Sequence, residues 1–142
     1  METLLHAVGI EILVVAAIII LIMGFIPEPH RQSYNAIFVA GAGAAYLNGG
    51  FGLWEFAFIG VASVVAFLGL RHYFWIGLAW VLHTVWDVAH HLYGNPIWHW
   101  AADSSAGCAA LDLLLAAWFF AGAPSFMDRF YNRKAMAHSG EN

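Results

Sequence analysis

The strongest constraint on this chain is a succession of long apolar runs separated by short polar or proline–glycine punctuation. The first, 4–26, ends at Pro27 and Pro29. Another, 53–70, stops at Arg71-His72, and 74–93 stops at Gly94-Asn95-Pro96. The last, 104–122, stops before Pro124. A helix that crosses a bilayer needs about 20 mostly apolar residues, and these runs are read as such helices. Segment 33–47 is shorter, roughly 22 Å at about 1.5 Å per residue. It ends at Asn48-Gly49-Gly50, a strong breaker.

Composition agrees with that reading. Hydrophobic residues make up 62% of the chain and charged ones 10%, against about 25% charged in a soluble domain. So little polar surface implies lipid as the solvent. The formal net charge of −4 comes from few groups and offers no basic patch, which excludes nucleic acid as a partner. Cys108 is the single cysteine, which excludes an internal disulfide and a thiolate-rich metal cage. No cationic segment precedes the first run, so it reads as a retained helix and not a signal peptide.

Charge decides whether 33–47 crosses. If it does, Arg31, Arg71, Arg129, Arg133 and Lys134, every Lys and Arg in the chain, share one face. The positive-inside rule makes that face cytoplasmic. The expectation is an all-α bundle of five transmembrane helices over 1–124, N-terminus out and C-terminus in. Trp54, Trp98 and Trp100 then form an outer aromatic belt. Ala36, Ala40 and Ala44 form a stripe of small residues that places the short helix at the bundle centre. The tail, 125–142, reads as a cytoplasmic interfacial helix followed by a disordered end.

Ionisable groups inside such a bundle are costly and are functional candidates. The fourth helix carries His83, Asp87, His90 and His91 within an arc of roughly 100°. From the outer surface Asp87 lies ~9 Å deep, Asp112 ~12 Å, Glu11 ~10 Å and His83 ~15 Å. Glu55 sits at the outer mouth of the third helix and His99 in the outer loop. Polar groups from four helices therefore share the outer half.

Three chemistries fit. Imidazole with carboxylate at one-turn spacing suits a divalent transition metal such as Zn, Fe, Mn or Cu. His83, Asp87 and His90 or His91 would be ligands, with Asp112 or Glu11 as ligand or general base. A second is a metal-free proton relay or pocket, with Asp87 and Asp112 partly protonated and the histidines neutral. A third is interhelical hydrogen bonding alone. No established metal motif is present, since His-x3-Asp-x2-His-His is not HExxH.

The segments 35–47, 53–56, 83–96 and 104–108 resemble a family of small bacterial integral membrane proteins of unknown function, domain of unknown function family 6010. The resemblance covers most of the chain from Asn35 to Ser125. It implies a multi-pass protein of the bacterial inner membrane and assigns no residue a role. The leading functional expectation is a membrane-embedded metalloprotein acting as a metal-dependent enzyme on a lipophilic small molecule. The alternative is a small transporter, a proton-coupled carrier or an accessory subunit of a larger membrane complex. Membrane lipid and a second copy of the chain are the expected partners.

Overall fold

A computed structural model describes residues 2–48, 50–125 and 127–128, with side chains described from Gly9 onward except Asn48. The described residues are helical: α1 (Glu2–Gly24), α2 (His30–Ala42), α3 (Leu53–Leu68), α4 (Tyr73–Leu92) and α5 (Ser104–Phe120). Punctuation residues set the ends. Pro29 stands at the N-cap of α2, where a missing backbone N–H costs no helical hydrogen bond. Gly94 turns the chain out of α4 with φ 69, a conformation that favours glycine.

Segment 33–47 is not one α-helix. After Ala42 the chain tightens into a 3₁₀ turn over Gly43–Asn48. Gly41 and Gly43 lower helix propensity there. The tighter turn sets the direction of Tyr46, which is buried.

The centre of the fold is α4, not the short helix. It forms an extensive hairpin with α5 and also packs on α2 and α3, while α1 packs on α5. Small residues, Ala79 of α4 and Ala109 and Ala116 of α5, are all buried and let the backbones approach. Val39, Ile76, Leu115 and Phe119 complete the apolar core. Of the stripe expected at the bundle centre, Ala36 is buried, Ala40 half-buried and Ala44 exposed.

The expected transmembrane bundle is corrected. Among the described residues, no helix is long and apolar enough to cross a membrane. The helices α2, α3 and α5 contain 13, 16 and 17 residues. They rise only about 20, 24 and 26 Å at 1.5 Å per residue, short of a hydrocarbon core of about 30 Å. At 20 residues α4 is long enough, but His83, Asp87, His90 and His91 interrupt its apolar character. The transmembrane topology and the placement in a bacterial inner membrane therefore lose their basis. The apolar runs continue past the helix ends, into turns such as 69–70 and 121–122. Most of the tail expected as an interfacial helix and disordered end lies outside the described residues.

Large apolar side chains nevertheless face outward, among them Ile10, Leu13, Ile18, Leu21, Ile22 and Phe25 on α1.

Candidate functional site

Helical periodicity builds the site from α4. His83, Asp87 and His90 fall within an arc of about 60°. All three are buried. His91 lies about 40° beyond Asp87 and is exposed. The stripe therefore splits into an inward set and one outward histidine.

Tyr46 joins two members of the inward set. Its hydroxyl donates to Asp87 Oδ1 at 2.7 Å and lies 3.3 Å from His83 Nδ1. Because the phenol proton is committed to Asp87, the His83 contact requires Nδ1–H as donor. That tautomer leaves His83 Nε2 as a bare acceptor, and Nε2 is buried without a hydrogen-bond partner. Burial lowers the His83 pKa to about 4, with the Val39 carbonyl opposing in part. His83 is thus neutral at pH 7.

Asp112 of α5 meets Asp87 from the other side. Its side chain lies within hydrogen-bonding reach of Asp87. Apart from a proton shared with Asp112, Asp87 Oδ2 has no donor among the described residues. Two ionised carboxylates cannot bond each other, so a proton between them satisfies both. Burial raises the Asp87 pKa, with the Tyr46 and Asp112 hydrogen bonds opposing in part. Burial also raises Asp112, and there Asp87 adds to the rise by its charge and by accepting the hydrogen bond. Because Tyr46 already donates to Asp87 Oδ1, the carboxylate charge is best held on Asp87 and the shared proton on Asp112. Cys108, one turn before Asp112, is pushed up to about 12 by burial and the two carboxyls, and stays a thiol.

A second polar cell adjoins the first. Glu55, 1% exposed, stands in the first turn of α3. Its Oε1 accepts from the Phe51 N–H at 2.9 Å and the Gly50 N–H at 3.3 Å. Its Oε2 accepts from Trp86 Nε1 at 2.8 Å. His90 Nε2 approaches the same carboxylate, 3.1 Å from Oε1. The other His90 nitrogen faces the Asn95 carbonyl at 3.3 Å, and that carbonyl also accepts from Ser105 Oγ at 2.9 Å. Glu55 thereby ties the start of α3 to α4 and, through His90, to the α4–α5 turn. Tyr46 and Phe58 stand between the cells. The Tyr46 ring lies 5.6 Å from His83 and 5.4 Å from His90, and Phe58 stacks on Trp86 at 4.8 Å.

The expected metal set is corrected by this geometry. Among the described residues, no group of three or more His, Cys, Asp or Glu side chains is placed to hold a metal ion. His90 is engaged by Glu55, His83 by Tyr46, and His91 points outward. Asp87 therefore meets a carboxyl and a phenol in place of two imidazoles. The other candidates fall as follows. Asp112 is buried beside Asp87, while Glu11 and His99 are exposed. Glu55 is buried in the second cell.

Tyr46 and Trp86 complete the two cells without carrying a charge that would mark them in the sequence. A phenol or indole buried in a core needs a partner for its polar tip. Tyr46 stands two residues before the Asn48-Gly49-Gly50 breaker.

Residues 7–125 match a family of unknown function, DUF6010. The chain belongs to that family. No curated protein and no solved structure matches it. The DUF6010 match takes in both polar cells, from Tyr46 to Asp112, and ends before Asp128.

Proposed function

We propose that this DUF6010 protein is a proton-transfer protein whose centre is the buried Asp87–Asp112 acid pair, reached through Tyr46 and His83. The observation that carries the reading is the Tyr46 hydroxyl standing between Asp87 Oδ1 and His83 Nδ1. In the resting state Asp112 donates to Asp87, Tyr46 donates to Asp87, and His83 Nδ1–H donates to Tyr46. Uptake begins when His83 Nε2, which is buried in the structure, accepts a proton from a water admitted by local opening. The Nδ1 proton passes to the Tyr46 oxygen as the Tyr46 proton passes to Asp87 Oδ1. The pair ends with two protons and no charge, and His83 ends neutral with its proton on Nε2. One proton is taken up, and release reverses each step. The low basicity of His83 suits a group that passes a proton on and does not keep it.

The test is nitrogen-15 NMR of the imidazole of His83. The expected result is a neutral ring in the Nδ1–H tautomer at pH 7 in the wild type. In Tyr46→Phe the ring loses its Nδ1 partner and becomes a mixture of tautomers. An imidazolium at pH 7, or a tautomer indifferent to Tyr46→Phe, contradicts the relay.

A second reading concerns assembly. The outward apolar side chains of α1 form a contiguous surface of the kind that monomeric proteins rarely leave bare. They support a homo-oligomer, which native mass measurement tests; a monomer at micromolar concentration contradicts it.

A further inference from the structure

Arg31, at the start of α2 and at the opposite end of that helix from Tyr46, is 2% exposed. Its Nε donates to Glu28 Oε1 at 3.0 Å and lies 3.2 Å from the Tyr73 hydroxyl. Its Nη2 donates to Glu28 Oε1 at 2.7 Å and to Asp128 Oδ2. Tyr73 in turn donates to Glu28, so Glu28 is held from two sides. Arg31 Nη1 is buried and has no hydrogen-bond partner.

A guanidinium is built for two parallel bonds to one carboxylate or phosphate. Asp128 bonds Nη2 alone and leaves Nη1 bare, so it is an incomplete occupant of the fork. Asp128 is also 39% exposed, and it belongs to the chain beyond the DUF6010 match. Its departure would uncover Nη1 and Nη2 together. Charge favours exchange over addition: Glu28 and Asp128 already carry two negative charges against one positive, so an incoming anion must replace Asp128.

We propose that the Arg31 guanidinium is a binding site for an oxyanion, a carboxylate or phosphate group taken bidentately by Nη1 and Nη2, and that Asp128 is its built-in competitor. Glu28 and Tyr73 hold the guanidinium in place during the exchange. The site is separate from the acid pair and does not depend on the proton relay.

The experiment titrates inorganic phosphate and, separately, acetate into the full chain, with binding read by calorimetry. Asp128→Asn removes the competing charge at a half-exposed position. It is expected to bind one of the probes about tenfold or more tightly than the wild type, since an internal occupant reduces apparent affinity by the fraction of time it fills the site. The probe preferred identifies phosphate or carboxylate as the ligand class. Arg31→Lys in the Asp128→Asn background keeps the charge and removes the fork, and is expected to lose at least tenfold. The Arg31 guanidinium nitrogen resonances in Asp128→Asn give a second readout should Arg31→Lys fail to fold, and they are expected to shift with the preferred probe. No binding of either probe to Asp128→Asn, binding indifferent to Arg31→Lys, or unmoved Arg31 resonances would overturn the proposal.

Discussion

The Tyr46 hydroxyl donates to Asp87 Oδ1 at 2.7 Å, across a gap of 41 residues in sequence. This one bond joins the 3₁₀ turn after α2 to the C-terminal half of α4, and it connects the acid pair to His83. Tyr46→Phe keeps the ring packing and removes the bond. The loss of a donor to a buried acid is expected to cost about 1–3 kcal/mol, measured by chemical denaturation at pH 7.

Stability should depend on pH in a signed way. Asp87 and Asp112 have folded pKa values raised above the ordinary 3.8. The folded state therefore holds protons that the unfolded state releases, and stability falls as pH rises above that ordinary value. His83 acts oppositely: its pKa is lowered from 6.5 to about 4. Its contribution is complete above 6.5 and is lost as pH falls toward 4. Above pH 6.5 the slope left by these three groups is the downward one of the acids. Asp112→Asn should flatten that slope in a series of denaturation curves, and an equally steep fall in the variant would contradict the assignment.

Glu55 is the anchor of the second cell, accepting from two backbone N–H groups, Trp86 and His90. Its removal leaves buried donors without a partner, which typically costs about 1–3 kcal/mol per group. Glu55→Ala is expected in that range, and Glu55→Gln, which keeps an acceptor oxygen, at the lower end or below it. Trp86 fluorescence should report the loss of the carboxylate at its indole nitrogen.

Gly50 lies against the same cell. A Cβ there would stand 2.9 Å from His90 Cε1 and 3.1 Å from Asn95 Cβ. Gly50→Ala must displace the ring that bonds Glu55, and overpacking of this kind costs about 1–3 kcal/mol. A Tm equal to that of the wild type would show that the loop can move aside freely.

Much of this arrangement was legible in the residues themselves. The helical character followed from the apolar runs and their proline and glycine breaks, and the approach of Asp112 to Asp87 from their similar distances to the α4–α5 turn. The membrane placement did not hold, because hydrophobic run length overstates helix length wherever apolar residues such as Leu70 and Ala121 continue into a turn. The metal set failed for a different reason. Periodicity puts His83, Asp87 and His90 on one face, but it cannot show which partners other elements bring to each of them. Glu55 of α3 engages His90 and Tyr46 engages His83, and both arrive from distant sequence. Glu11 shares a similar depth along its helix yet points outward, since depth fixes height and not direction.

The central claim is a proton held on the Asp87–Asp112 pair at neutral pH. Infrared spectroscopy of the carboxyl C=O stretch tests it most directly, because a protonated acid and a carboxylate absorb in separate regions. The account predicts a protonated carboxyl band in the wild type at pH 7, absent in Asp112→Asn and shifted in Tyr46→Phe, where Asp87 loses its phenol donor. A wild-type spectrum at pH 7 with no protonated carboxyl, or a band unchanged in both variants, would contradict it.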